Sequence, residues 1–205
     1  MFDPLRCESL WGALAETSPY RTDPLLLCDA IREIVELMLA LGVPSFITND
    51  ILCNVGAVED AAQLRPNATV EDLFESRLPA AQARRGACSP PPSQNAPNHA
   101  FANLLRTITF ANAFVARFLV ASTPLAAAAR GAYDETLSRF HVFPLRFLVR
   151  SAVMLLPSRA VFFTRITPAN DPAFDLCASL ARFKNSVEKV ATSLRATLVA
   201  NNISE

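Results

Sequence analysis

The chain has 205 residues, 51% of them apolar, and its 19 basic side chains balance its 19 acidic ones. That length supports one domain with a substantial core, and a composition so apolar and so balanced excludes a disordered chain or one built to coat nucleic acid. The balance hides one local excess: Arg139, Arg146, Arg150, Arg159 and Arg165 fall in a segment, Leu137 to Arg165, that contains no Asp or Glu.

Five glycines and few alternating runs point to an all-α protein. A first helix is expected over Leu5 to Glu16. Thr22-Asp23-Pro24 then supplies a cap followed by proline at the first helical position. From there Leu26, Leu27, Ile31, Ile34, Val35, Met38 and Leu41 recur at helical spacing until Gly42. Val43-Pro44 bends the chain, and Phe46 to Val58 reads as the next helix. Thr69, with Asp72 three residues on, is a weaker relative of the capping box and begins another. Pro79 to Pro97, containing CSPPPSQNAP, reads as a proline-rich loop inserted within a single domain spanning 1–205. A long helix is expected from Asn98 to Ala121 and another from Pro124 to Phe140. Pro144 starts the next, Pro157-Ser158 separates it from a short helix over Arg159 to Thr164, and a last helix follows Asp171. In that last helix Leu176, Leu180, Phe183, Val187, Val190, Leu194 and Leu198 advance in steps of three and four.

Cys7, Cys28, Cys53, Cys88 and Cys177 are odd in number, scattered and never spaced as CxxC. Reduced thiols in a cytoplasmic protein are therefore expected, with neither a disulfide framework nor a metal site. MFDPLRCESLWG has no apolar core of a secretory signal. The most apolar stretch, Leu137 to Arg159, is interrupted by Arg146 and Arg150, so no membrane span is expected.

Signatures of catalysis are missing: there is no GxSxG elbow, P-loop, HExxH or dinucleotide-binding glycine fingerprint. An enzyme is not expected, and no cofactor is implied. His99, beside the proline-rich stretch, reads as exposed and inert. His141 has apolar neighbours, and by composition alone it reads as a core histidine satisfied by backbone groups. In FITNDILCNV, Asp50 and Asn54 are four apart and share a helix face. A carboxylate accepts hydrogen bonds and an amide does both, which suits a ligand with hydroxyl and amide groups; a solvated polar face is the plainer alternative. Arg106, in ANLLRTITF, either snorkels to solvent or offers its planar fork to an anion.

Three segments, in this order, resemble the glycolipid transfer protein superfamily, which includes the ceramide-1-phosphate transfer proteins. FITNDILCNV is similar to the family's motif of an aspartate followed four residues later by asparagine or lysine. AYDETLSRFHVF resembles its A-Y-x-x-x-L-x-x-Y-H-x-W segment, with Phe140 for the tyrosine and Phe143 for the tryptophan. VMLLPSRAVFF is similar to a Leu-Pro-Ser/Thr-Arg-x-Val-Phe run. The resemblance covers roughly Pro24 to Phe163.

It implies a two-layer all-α sandwich enclosing the hydrocarbon chains of a sphingolipid, with the headgroup at the surface. By position Asp50 would accept hydrogen bonds from the sphingoid amide or headgroup hydroxyls, Asn54 would assist, and His141 would donate to the amide carbonyl. A buried amide left unpaired costs about 1–3 kcal/mol, which a carboxylate and an imidazole would offset. Transfer would be non-covalent. Phe143, Arg146 and Arg150 would form a transient membrane contact, an aromatic ring among headgroups with cations toward lipid phosphates.

The chain departs from both headgroup patterns. The sugar-binding members' central-helix tryptophan is absent, since the one tryptophan is Trp11, and their lysine position is Ala57. The phosphate-binding members' paired arginines are reduced to Arg106, with Ala102 at the other position. The expectation favours an anionic headgroup such as ceramide 1-phosphate. Neutral glycosphingolipid transfer, or a lipid-sensing or partner-binding module without efficient transfer, stays open as the alternative.

Overall fold

A computed structural model describes residues 2–17, 21–75, 97–168 and 174–201. Most of the proline-rich stretch lies outside these residues. The described residues form helices and connecting turns, with no strand: α1 (Pro4–Thr17), α2 (Pro24–Ala40), α3 (Ser45–Leu64), α4 (Val70–Glu75), α5 (Pro97–Phe118), α6 (Leu125–Thr136), a 3-10 turn (Ser138–Phe140), α7 (Phe143–Val153), α8 (Arg159–Ile166) and α9 (Leu176–Ala200).

The ends of the helices follow local chemistry. Asp23 caps α2 by accepting from the Leu25 and Leu26 amides at 2.8 and 3.2 Å. The same helix closes at Gly42, whose φ of 83° suits glycine; Gly42 N donates to the Leu39 carbonyl and Val43 N to that of Met38. Thr69 and Asp72 form a reciprocal capping pair at α4, Thr69 N donating to Asp72 Oδ2 at 2.8 Å and Asp72 N to Thr69 Oγ1 at 3.2 Å. α3 runs past the expected Val58 to Leu64, where Pro66 stops it and Asn67 turns with φ 69°.

α5 is the hub. It packs against α2, α3, α4, α6 and α9, while α1 bridges α2 and α9, and α8 lies on α2. Residues on several sides of α5 are therefore buried, among them Phe101, Leu104, Leu105, Ile108, Phe114, Val115 and Phe118. In α9 every one of the seven expected apolar positions, Leu176 through Leu198, is buried. Trp11 is fully buried, donates from Nε1 to the Ala30 carbonyl at 3.2 Å and meets Phe183 edge-on. α7 differs from its neighbours: it packs on α6 and has no buried residue.

One expected helix is broken in two. Pro124 to Phe140 was expected as one element, but α6 ends at Thr136 and tightens into the 3-10 turn. Proline at position 144 cannot sit inside a continuous helix, because its ring would collide with the Phe140 carbonyl. A second difference concerns sulfur. Cys7, Cys28 and Cys177 are free thiols, but Cys53 is disulfide-bonded, which corrects the expectation of reduced thiols throughout.

Candidate functional site

The N-terminal half of α5 meets the middle of α3 and the end of α6. From α5, His99, Asn103 and Arg106 recur at steps of four and three, so they form one stripe. From α3 come Asp50, exposed, and Asn54, partly buried. Asn54 Nδ2 donates to the Asp50 carbonyl at 2.7 Å, and its Oδ1 accepts from Asn103 Nδ2 at 3.2 Å. Asn103 in turn accepts from Arg106 Nη1 through Oδ1 at 2.8 Å, and its Nδ2 lies 3.2 Å from His99 Nδ1. The Arg106 guanidinium is stacked 3.9 Å from the centre of the Phe140 ring. Ala102, the expected partner position of Arg106, is 3% exposed and belongs to the core.

His141 lies just beyond the 3-10 turn in an extended conformation, φ −97° and ψ 137°. It was expected at the end of a helix; the break before Pro144 instead leaves it in a short link. Its Nδ1 is 2.9 Å from the Tyr133 hydroxyl, and Arg146 Nε donates to its carbonyl at 2.5 Å. Burial lowers the imidazole pKa from its ordinary value; Asp50 pulls it up, and Arg146 and Arg106 push it down. The ring is thus neutral near pH 7. In the tautomer in which Tyr133 donates to Nδ1, the ring proton sits on Nε2 and that nitrogen is the donor. Asp50, Arg106, His141 and Arg146 therefore act in one electrostatic neighbourhood.

Next to this cluster, α7 presents Phe143 at 80% and Phe147 at 69% exposure on one face, four residues apart. Val142, Met154 and Leu155 at its two ends are exposed as well. Arg150 does not simply point to solvent: its Nη2 and Nε donate to Asp134 Oδ1 at 2.7 and 3.3 Å.

Sequence reasoning missed Asn103, which joins Asn54 to Arg106; His99 is exposed, as expected, with Nδ1 against Asn103. The available signal was their spacing with Arg106 on one helix face. Phe147 was missed too, despite standing four residues after Phe143. Among the described residues no helix is long and apolar enough to cross a membrane, and no group of three or more His, Cys, Asp and Glu could hold a metal ion.

Solved structures with the same fold include human ceramide-1-phosphate transfer protein in complex with 12:0 ceramide-1-phosphate. It is 14% identical, with a TM-score of 0.81 over 100% of this chain and 99% of that one. A mutant of Arabidopsis accelerated-cell-death 11, complexed with C12 ceramide-1-phosphate, is 16% identical with a TM-score of 0.80, covering 98% and 97% of the two chains. HET-C2, a fungal glycolipid transfer protein, is 18% identical with a TM-score of 0.69, covering 86% and 84%. No curated protein matches the sequence. The model of the glycolipid transfer protein family matches residues 22–168, which hold α2 through α8 and every residue of the cluster above. The chain belongs to the glycolipid transfer protein family and has its all-helical, two-layer sandwich fold.

Proposed function

We propose that this protein is a sphingolipid carrier that takes up one lipid, encloses its hydrocarbon chains and moves it between membranes, with a phosphate-bearing headgroup as its preferred cargo. One observation carries the reading: a carboxylate, a neutral imidazole and an arginine converge from α3, the α6–α7 link and α5 beside the exposed apolar face of α7. In this reading Asp50 accepts from the sphingoid amide N–H and His141 Nε2 donates to the amide carbonyl, so both halves of that amide are satisfied. Arg106 offers its planar guanidinium to the headgroup. Phe143 and Phe147 enter the headgroup region of the bilayer, with Arg146 toward lipid phosphates. Arg150 takes part less, since Asp134 holds it.

The headgroup preference has support in the amides. The Asn54 side chain is engaged at both ends by the Asp50 carbonyl and Asn103, and the permanent charge of Arg106 favours an anionic headgroup. Trp11 lies in the core between α1, α2 and α9, away from any stacking role for a sugar. Such a carrier works in the cytoplasm as a single domain and touches membranes only in passing.

The test is a vesicle-to-vesicle transfer assay with ceramide 1-phosphate and galactosylceramide. The wild type is expected to move the phosphate lipid faster, and Asp50→Val is expected to abolish transfer of both while far-UV helicity stays unchanged. A well-folded wild type that moves neither lipid refutes the carrier and favours a lipid-sensing module.

A further inference from the structure

What His141 can do depends on which ring nitrogen carries its proton, since a neutral imidazole has one N–H to give. Tyr133 decides this. It is 1% exposed, in α6, the helix packed along α5. Its hydroxyl lies 2.9 Å from His141 Nδ1, and the two ring centres are 5.5 Å apart. Among the described residues the hydroxyl has no other hydrogen-bond partner. If Nδ1 carried the proton and donated to the phenol oxygen, the phenol's own proton would have no acceptor in a side chain almost closed to water. A buried donor left unpaired costs about 1–3 kcal/mol. If Tyr133 donates instead, its proton is used, Nδ1 accepts, and the ring proton moves to Nε2. That arrangement leaves neither group unmet. Burial raises the Tyr133 pKa above the ordinary phenol value, so the donor keeps its proton. Nε2 has no partner among the described residues and is not enclosed.

We propose that Tyr133 is a positioning residue of the lipid site: its hydroxyl holds His141 as the Nε2–H tautomer and keeps that N–H ready for the amide carbonyl of a sphingolipid. This rests on the carrier reading above. The backbone of His141 has separate supports, its N donating to the Ser138 carbonyl at 3.3 Å and its carbonyl accepting from Arg146 Nε at 2.5 Å. Arg146 stands on α7, which has no buried residue, whereas Tyr133 is fixed in a buried position. The ring is thereby tied to the core even though its backbone is held from the surface. Phosphate- and sugar-bearing sphingolipids share the amide. Tyr133 therefore acts on sphingolipids as a class and not on the choice of headgroup.

Two measurements test this. Long-range 1H–15N correlation spectra of the delipidated protein, at a pH above the imidazole titration, report which ring nitrogen carries the proton. The chain has two histidines, so His141→Gln assigns the signals. His141 is expected as Nε2–H alone in the wild type and as a mixture of tautomers in Tyr133→Phe. Its titration midpoint should rise in that variant, because the lost phenol bond favours the neutral ring. Asp50, Arg106 and Arg146, the charged groups acting on the ring, are the same in both proteins. Initial transfer rates of ceramide 1-phosphate and galactosylceramide between phosphatidylcholine vesicles should both fall about fivefold in Tyr133→Phe, the loss of one hydrogen bond, with their ratio unchanged. Wild-type His141 protonated on Nδ1 overturns the assignment without recourse to any variant. Slower transfer in Tyr133→Phe with the tautomer and midpoint unchanged reduces Tyr133 to packing and also overturns it. A changed tautomer with unchanged transfer removes the role in cargo binding and leaves the carrier. A wild type that moves neither lipid removes the carrier and this role together, while the spectra still read the Tyr133–His141 bond.

Discussion

Each half of α5 meets an arginine stacked on a phenylalanine, and the two are built for different tasks. At the C-terminal end, Phe110, Phe114 and Phe118 stack along the helix, Phe162 meets the last two edge-on and Phe163 lies tilted against Phe118. Arg159 covers Phe118 at 4.1 Å, and its Nη1 donates to the carbonyls of Phe118 and Thr123 at 2.5 and 3.4 Å. It thereby satisfies the last carbonyl of α5 and sits at the negative end of the helix dipole. In the N-terminal half, Arg106 covers Phe140 at 3.9 Å but leans on an amide side chain, Asn103, which itself leans on Asn54. Backbone carbonyls of a packed helix end are fixed; a chain of side-chain amides can re-form around a guest. The first arrangement holds the fold, the second is suited to holding a ligand.

The contrast breaks if the two arginines respond alike. Arg106→Leu is expected to slow transfer of ceramide 1-phosphate more than about tenfold and galactosylceramide far less, since a charge-assisted contact is lost only with phosphate. Its melting temperature should stay close to that of the wild type. Arg159→Leu should do the reverse. Losing charge-assisted bonds to carbonyls costs about 2 kcal/mol, or about 4–8 °C in melting temperature for a chain of this size, with the preference between lipids unchanged in the folded fraction. Thermal melts and paired transfer assays on both variants decide the matter.

Smaller effects sharpen it. Asn103→Ala should slow phosphate-lipid transfer a few-fold, about threefold, by releasing Arg106, and Asn103→Asp should restore part of the rate by offering a carboxylate oxygen in place of the amide oxygen. His141 gives a pH signature. Its pKa is lowered on folding, so the unfolded chain binds more protons below about pH 6.5, the ordinary imidazole range, and stability falls as pH drops through that range. His141→Gln should flatten this part of the stability–pH curve measured by denaturant titration. Phe147→Ala should weaken flotation on vesicles without altering the preference between lipids. The smallest effect belongs to Gly131→Ala. A Cβ there would come 2.7 Å from Arg117 Nε, so the Arg117–Glu135 pair must shift, an exposed contact worth less than about 1 kcal/mol.

Much of this was legible in the sequence where the signal was local. The apolar steps of α9, the Asp23-Pro24 start of α2 and the Thr69–Asp72 pair depend on residues within a few positions of each other, and each took the expected form. The break after Thr136 was less legible, because Pro144 forbids a continuous helix without fixing where the earlier one stops. Asn103 was missed because its meaning comes from Asn54, 49 residues away and on another helix. Arg139 was counted as part of a basic segment, but nothing in the sequence says that its neighbour's ring is shared with an arginine from α5. Arg150 was taken for a membrane-facing cation; its pairing with Asp134 links α7 to α6 and needed the fold to be seen.

The absence of any buried residue in α7 carries a kinetic consequence. A helix that adds little to the core can open without the core opening, so its amides should exchange with solvent deuterium long before those of α5 or α9. Arg146 belongs to that helix and holds the His141 carbonyl. Each local opening of α7 therefore loosens the backbone of the residue that would grip the lipid amide, while the rest of the molecule remains folded.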